Sequence, residues 1–270
     1  MNMMRFTTMK TKLRKYQSIC LILMIMIFSC LFTGCVNQHP KDSKKSSQGE
    51  SVETMLEITD PKEKQAVLNA KAKVKALSGN PRIVATSPAV ADICDKLDLD
   101  LVGVPKSSVS KIPSRYKKVK KVGLAMSPDM EIVSSLNPDW ILAPSSLETD
   151  LKPKFEELKN TEYAFLNLRS VQGMYRSVQE LGEIFGKQQE AEKMTKEFTT
   201  FYKSYTKRNK NKKHPKVLVL MGLPGSYVIA TENSYVGSLV KLAGGENVYQ
   251  NTDQEFLTVN TEDMKKKEPD

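Results

Sequence analysis

Short, almost wholly apolar segments alternate with helix-like segments between residues 81 and 169, and this order constrains the fold more than any other feature of the chain. The apolar segments cover residues 82–86, 101–104, 119–122, 140–143 and 163–166. Helix-like segments lie between them, as at residues 88–97 and 130–136. Apolar strands that alternate with helices are typical of a parallel sheet covered on both faces. We therefore predict an α/β lobe over residues 81–169.

A long helical segment follows this lobe. From Val171 to Tyr205 the apolar residues recur at helical spacing, and Gly182 and Gly186 predict kinks in the run. If roughly 38 residues are helical, the segment is about 57 Å long at 1.5 Å per residue, which suits a strut behind two lobes. We therefore predict a bridging helix within residues 170–213.

Strand-like sequence returns after the bridge. Residues 217–221 and 227–230 are predicted strands, and residues 235–242 form a helix that ends at Gly244 and Gly245. The fold class predicted for the chain is therefore α/β, with two Rossmann-like lobes, 81–169 and 214–270, joined by a long backbone helix.

One short pattern occurs in both lobes. Glu131 is followed seven residues later by Pro138-Asp139, and Glu262 is followed seven residues later by Pro269-Asp270. An apolar strand comes directly after Asp139. The repeat predicts two similar lobes, and it leads us to expect that the chain stops one residue before a core strand, so that residues 214–270 form an incomplete lobe.

The N-terminal segment has the pattern of an export signal. Residues 1–34 carry five basic and no acidic residues and include an apolar run from 19 to 32, before Cys35. A cysteine at this point resembles the bacterial lipobox, in which it receives a lipid and becomes the mature N-terminus. The alternative is an uncleaved anchor, for which the run is short because about 20 apolar residues are needed. Residues 35–80 are predicted to be a polar tether and a marginal helix.

Charge and cysteine content exclude several classes of function. The whole chain carries a net charge of +10, of which the signal supplies +5. The charge of +5 that remains on residues 35–270 is moderate, and it predicts a solvated surface and no nucleic-acid partner. Beyond Cys35 the only cysteine is Cys94, so no disulfide framework is predicted. The two histidines, His39 and His214, have no metal-site spacing, and no hydrolase motif is present. The protein is predicted not to be an enzyme.

Met126 is a candidate ligand residue. It lies in the segment 123–131, where a strand passes to a helix, and open α/β sheets bind their ligands at that edge. A thioether there is a soft ligand for a haem iron. The alternative is that Met126 fills a gap in the core. Tyr227 and Tyr235 are candidates for stacking on a flat ligand, or are ordinary half-buried tyrosines.

Several segments resemble one known family. They are residues 82–84, 122–126, 165–170 and 214–248, and the most specific are Gly-Leu-Pro-Gly-Ser-Tyr-Val-Ile-Ala-Thr and Leu-Val-Lys-Leu-Ala-Gly-Gly-Glu-Asn-Val. They resemble the haem-binding lipoproteins of the iron-regulated surface determinant system, which are substrate-binding proteins of ABC transporters of the helical-backbone class. The resemblance covers about residues 81–270.

This resemblance implies a set of functional residues. Met126 falls on the methionine that ligates the haem iron, while the family's histidine ligand is expected beyond residue 270. Glu131 and Glu262 are implied to dock on the permease. Thr86, Ser87, Ser107 and Ser108 are candidates for contacts with the haem propionates.

The resemblance also implies where the protein works. It predicts a receptor anchored through a lipid on Cys35, a palmitate site, at the outer face of a Gram-positive cell membrane. The receptor would take haem from upstream cell-surface haem proteins and deliver it to an ABC permease for iron acquisition. Two alternatives remain open: the same fold could bind a ferric siderophore or cobalamin, or the protein could be a haem-handling enzyme.

Overall fold

The structure is a computed structural model that describes residues 56–223 and 225–270, with only the backbone of Leu223. The predicted signal, the lipid site at Cys35 and the first part of the tether lie outside the described residues. Within the described ranges, no helix combines the length and the apolar character needed to cross a bilayer.

Helices and strands alternate along most of the described chain. In chain order the elements are α1 (Pro61–Lys75), β1 (Ile83–Ala85), α2 (Pro88–Lys96), β2 (Leu101–Val104), β3 (Lys120–Lys121), β4 (Gly123–Leu124), β5 (Ser127–Pro128), α3 (Met130–Ser135), β6 (Trp140–Pro144), α4 (Glu148–Glu156), β7 (Glu162–Leu166), α5 (Val171–Phe185), α6 (Gln188–Asn209), β8 (Lys216–Val217), β9 (Leu220–Leu223), β10 (Ser226–Ala230), α7 (Tyr235–Leu242), β11 (Glu246–Asn247), β12 (Phe256–Thr258) and α8 (Thr261–Lys266).

The first lobe is built on a five-stranded sheet in the order β3-β2-β1-β6-β7, and every neighbouring pair is parallel. This arrangement confirms the predicted parallel α/β sheet. Successive residues of a strand face opposite sides, so Ile83 belongs to the core on one face and Val84 to the core on the other. All five residues of β6 are buried, as expected for a central parallel strand.

The bridging segment consists of two helices, of which α6 is the long one at 22 residues, so the helical run predicted from Val171 to Tyr205 breaks at Gly186 and does not continue as one strut. Gly186 has a φ of 70°, a left-handed conformation that ends α5. The rings of Tyr175 in α5 and Phe198 in α6 stack with their centroids 4.5 Å apart, although 23 residues separate them in sequence. A single helix would hold these rings about 35 Å apart. The chain therefore turns back at Gly186, and α5 and α6 pack side by side.

The described part of the second lobe is more mixed. Strands β8 and β11 form a parallel pair, whereas β9, β10 and β12 form an antiparallel sheet. Gly225, with a φ of 79°, lies in the turn between β9 and β10. The alternation of strands and helices does not predict this antiparallel sheet.

The repeated Glu/Pro-Asp pattern has the same geometry in both lobes. In the first lobe the Asp139 carboxylate accepts the Arg82 backbone N–H at 2.7 Å, and the Asp139 N–H donates to the Arg82 carbonyl at 2.9 Å. In the second lobe Asp270 makes the same two bonds with Lys216, at 2.8 and 3.0 Å. Each aspartate thus fixes the start of a parallel strand, which confirms the local repeat predicted from the sequence.

Candidate functional site

The candidate ligand residues of the first lobe follow three neighbouring strands. Thr86 and Ser87 come directly after β1, Ser107 and Ser108 follow β2, and Met126 follows β3. Because these strands are adjacent and parallel, the segments that leave their carboxyl ends lie at one edge of the sheet. Open α/β sheets bind ligands at this edge.

Met126 lies at the tip of a small hairpin. Strands β4 and β5 pair antiparallel, and Ala125 and Met126 form the turn between them. The side chain of Met126 is 74% exposed. It therefore does not fill a gap in the core, and it projects from a hairpin instead of lying directly where a strand passes to a helix.

Three backbone features hold this hairpin in place. Gly123 has a φ of 97°, which side chains with a Cβ rarely adopt. Its carbonyl accepts the Lys106 N–H at 2.6 Å, which ties the hairpin to the loop after β2. The Asp129 N–H donates to the Val122 carbonyl at 2.7 Å and closes the base of the hairpin. These features fix the position of the hairpin that carries the exposed thioether of Met126.

The hydroxyl groups at this edge differ in their hydrogen bonds and in their exposure to solvent. Both the N–H and the hydroxyl of Thr86 donate to the Leu142 carbonyl, at 3.0 and 3.3 Å, and the residue is fully buried. The Ser87 hydroxyl accepts the Val90 N–H and caps α2. The Ser107 hydroxyl accepts the Ser110 N–H at 3.0 Å, and Ser108 is exposed. Ser107 and Ser108 are therefore more open to a ligand than Thr86 and Ser87.

The two tyrosines predicted to flank a second-lobe loop have different surroundings. Tyr227 is 65% exposed on β10. Tyr235 begins α7, and its hydroxyl lies 3.9 Å from the sulfur of Met174 in α5.

Tyr235 also lines a cavity of about 450 Å³, which is large enough for a small ligand. Residues of α2, α5, α6 and α7 and of the loop before α5 form the wall of the cavity, which is mainly apolar. The lining residues are Ala89, Asp92, Ile93, Lys96, Leu168, Met174, Met194 and Tyr235. The sequence did not predict this cavity, because its wall is assembled from four helices, of which α2 and α7 are far apart in the sequence.

Glu131 and Glu262 occupy equivalent positions. Asp129 caps α3 by accepting the N–H groups of Glu131 and Ile132, at 3.1 and 3.0 Å. Asn260 caps α8 in the same way, accepting the N–H of Glu262 at 3.1 Å. Both glutamates are exposed in the first turn of a six-residue helix, where the helix dipole favours a carboxylate. The predicted docking pair is thus structurally matched between the lobes.

The remaining reactive side chains have structural roles in the described part of the chain. Cys94 is buried, and burial raises the pKa of its thiol to about 12, so it is not a thiolate at neutral pH. The Nδ1 atom of His214 lies 2.7 Å from the Gly244 carbonyl oxygen. In the ranges that the structure describes, no three His, Cys, Asp or Glu side chains converge as metal ligands.

Residues 83–270 match the periplasmic binding protein family. The chain belongs to this family.

This periplasmic binding protein has close relatives. It is 41% identical over 194 residues to the high-affinity heme uptake system protein IsdE of Staphylococcus aureus, a match that covers 72% of the chain and 66% of the relative's length. Among solved structures it is similar to an ABC transporter substrate-binding protein from Listeria monocytogenes EGD-e, with 45% identity, a TM-score of 0.65 and coverage of 71% and 73%. It is also similar to S. aureus IsdE complexed with heme, with 40% identity, a TM-score of 0.65 and coverage of 71% and 74%.

Proposed function

We propose that this periplasmic binding protein is a haem receptor that delivers haem to an ABC permease for iron acquisition. The observation that carries the proposal is the exposed thioether of Met126, which a braced hairpin presents at the ligand-binding edge of the first lobe. Thioether sulfur is an established axial ligand of haem iron. The heme-bound relative, at 40% identity, supports the same ligand for this chain.

Haem also carries two propionates, and the first lobe offers groups to receive them. Ser107 and Ser108 are the favoured hydroxyls, because Thr86 and Ser87 are buried whereas Ser107 is half-buried and Ser108 is exposed. The N-terminus of α2 begins at the same edge, directly after Ser87, and helix N-termini favour anions. We therefore place the propionates between the start of α2 and the loop after β2.

Delivery requires contacts with the permease, and Glu131 and Glu262 are the proposed contacts. Each is exposed near the start of a short helix, and the two helices are related by the internal repeat. Tyr249 holds α8 in position by donating to the Asp263 carboxylate at 2.8 Å. One carboxylate on each lobe would let the permease engage both lobes together.

The proposed site of action is the outer face of a Gram-positive cell membrane. A lipid on Cys35, followed by the polar tether within residues 35–80, would hold the folded part there. The source of haem would be upstream cell-surface haem proteins. The proposed role involves no chemical change of the ligand, so the protein is not an enzyme.

Titration of haemin into the protein, followed by absorption spectroscopy, tests the proposal. We expect a sharp Soret band for the parent chain that is lost or shifted in Met126→Ala. Met264→Ala is the matched control, because Met264 lies in α8 of the other lobe. A Soret band that is unchanged in Met126→Ala would contradict the assigned ligand. No haem binding by the parent chain would favour a ferric siderophore or cobalamin instead.

A further inference from the structure

The positive charge of this protein is concentrated in one stretch. Residues 35–270 contain 36 basic and 31 acidic residues, and residues 198–231 contain seven basic residues and no acidic one. The rest of residues 35–270 therefore has a net charge of −2. A surplus of positive charge confined to one segment creates a stronger local potential than the same number of lysines spread evenly over a solvated surface.

These cations lie at the C-terminal end of α6 and in its connection to β8. All seven are exposed. We call six of them the basic end of α6: Lys207, Arg208, Lys210, Lys212, Lys213 and Lys216. In the described residues, the ion pairs are made by two lysines of α1 and by Arg115, Arg169 and Lys187 in loops, and none involves the basic end of α6.

Helix stability explains only part of this cluster. Lys207 and Arg208 lie in the last turn of α6, where a cation interacts favourably with the helix dipole. Lys212, Lys213 and Lys216 lie beyond the helix and gain nothing from that effect. The helix dipole therefore does not explain why these three lysines lie next to the helix end.

An exposed aromatic ring accompanies the cations. Phe201 is 60% exposed, and its ring stacks on that of Tyr205 with the centroids 6.1 Å apart. Phe201 and Arg208 are seven residues apart on α6, so they share one face of the helix. Tyr205 also donates to the Ala243 carbonyl at 2.9 Å, which fixes this part of α6 against α7. The ring is thus held outward beside the cations.

We propose that the basic end of α6, together with Phe201, binds the surface of an anionic bilayer. Lysine and arginine side chains interact with anionic headgroups, and an aromatic ring partitions into the boundary between headgroups and acyl chains. A soluble polyanion without aromatic groups, such as polyphosphate, would bind the cations but would gain nothing from an exposed phenyl ring. This contact would hold the bridge between the lobes beside the membrane, and it does not depend on haem binding.

Vesicle sedimentation tests this proposal. The described residues belong to one compact unit, and the chain from residue 49 onward would be mixed with vesicles of phosphatidylcholine alone or of an equimolar mixture with phosphatidylglycerol. We expect binding to the anionic vesicles only, weakened by added salt. Each lysine near an anionic surface contributes about a fivefold change in partitioning, so the double substitution Lys207→Gln and Lys210→Gln should lower it about 30-fold. Phe201→Ser should also weaken it.

The matched control is the double substitution Lys152→Gln and Lys159→Gln, which removes the same charge from exposed positions around α4. We expect the control to bind the anionic vesicles about as well as the parent chain does. Circular dichroism spectra would establish that each variant is folded.

Three results would overturn the proposal. An equal loss in the control would show that total charge determines binding. Equal sedimentation with both kinds of vesicle would show that headgroup charge is irrelevant. Binding to immobilised polyphosphate without binding to the anionic vesicles would identify a polymeric anion as the partner.

Discussion

Replacement of Gly123 by alanine should disturb the hairpin that presents Met126. The φ of 97° at Gly123 lies in a region that residues with a Cβ adopt only under strain. A Cβ at this position would lie 2.9 Å from the Asp129 nitrogen and 3.1 Å from the Ser127 oxygen. Both are backbone atoms, so the contact cannot be relieved by a change of rotamer.

The expected cost of Gly123→Ala is about 1–3 kcal/mol in the free energy of unfolding. For a chain of this length that corresponds to a lower melting temperature by roughly 2–10 °C. The hairpin can relax by moving, so the same substitution should also shift or weaken the Soret band of bound haem if Met126 is the proposed ligand. Urea unfolding and haemin titration of the same variant measure the two effects.

Gly79→Ala is the matched control for this prediction. Gly79 has no positive φ, and no atom lies within 4 Å of the position that its Cβ would occupy. Alanine there should be neutral or stabilise the fold by about 0.4–1 kcal/mol, because it restricts the unfolded chain. Equal stability of Gly123→Ala and Gly79→Ala, with an unchanged Soret band, would refute the argument that Gly123 fixes the position of Met126.

Three further predictions concern the stability of the fold, measured by urea unfolding. Asp139→Ala removes the acceptor for the Arg82 N–H and should cost about 1–3 kcal/mol, whereas Asp270→Ala should cost less because Asp270 is exposed. The opposite order would contradict the role assigned to the two Asp139–Arg82 hydrogen bonds. Leu142→Ala empties a fully buried site in β6 and should cost about 2–5 kcal/mol, and a smaller loss would show that the sheet collapses around the cavity. Burial, and then a hydrogen bond with Glu63, raises the pKa of Glu180 from 4.5 to about 8. The folded state therefore binds more protons than the unfolded state between these values, and the stability due to Glu180 is present below pH 4.5 and lost as the pH rises towards 8. Glu180→Gln should thus stabilise the protein at pH 8 by at least about 1 kcal/mol and have little effect at pH 4, and a gain independent of pH would contradict this cause.

The first lobe could be predicted from the sequence because its strands carry a strong local signal. The predicted strand at residues 101–104 has the same bounds as β2, and the predicted strand at residues 140–143 differs from β6 by one residue. Buried parallel strands are nearly continuous in apolar residues, so their sequences alone mark their positions. The Glu/Pro-Asp repeat was also visible in the sequence, and its equal geometry in the two lobes follows from the same local bonds.

Other features depend on contacts that the sequence does not show. The hairpin at Met126 has strands of only two residues each and is tied to Lys106, a residue 17 positions before Gly123. The sequence predicts a kink at Gly186, but packing decides whether such a glycine bends a helix or ends it. In this fold the packing of Tyr175 on Phe198 accompanies the end of α5 at Gly186. The cavity beside Tyr235 likewise requires four helices to be placed together.

The proposed function depends on ligation of the haem iron by the sulfur of Met126. X-ray absorption at the iron edge of the haem-loaded protein tests it most directly, because sulfur in the first coordination shell is distinguished from nitrogen and oxygen. We expect a sulfur neighbour of iron in the parent chain and in Met264→Ala, and its absence in Met126→Ala. A sulfur neighbour that persists in Met126→Ala, or none in the parent chain, would contradict it.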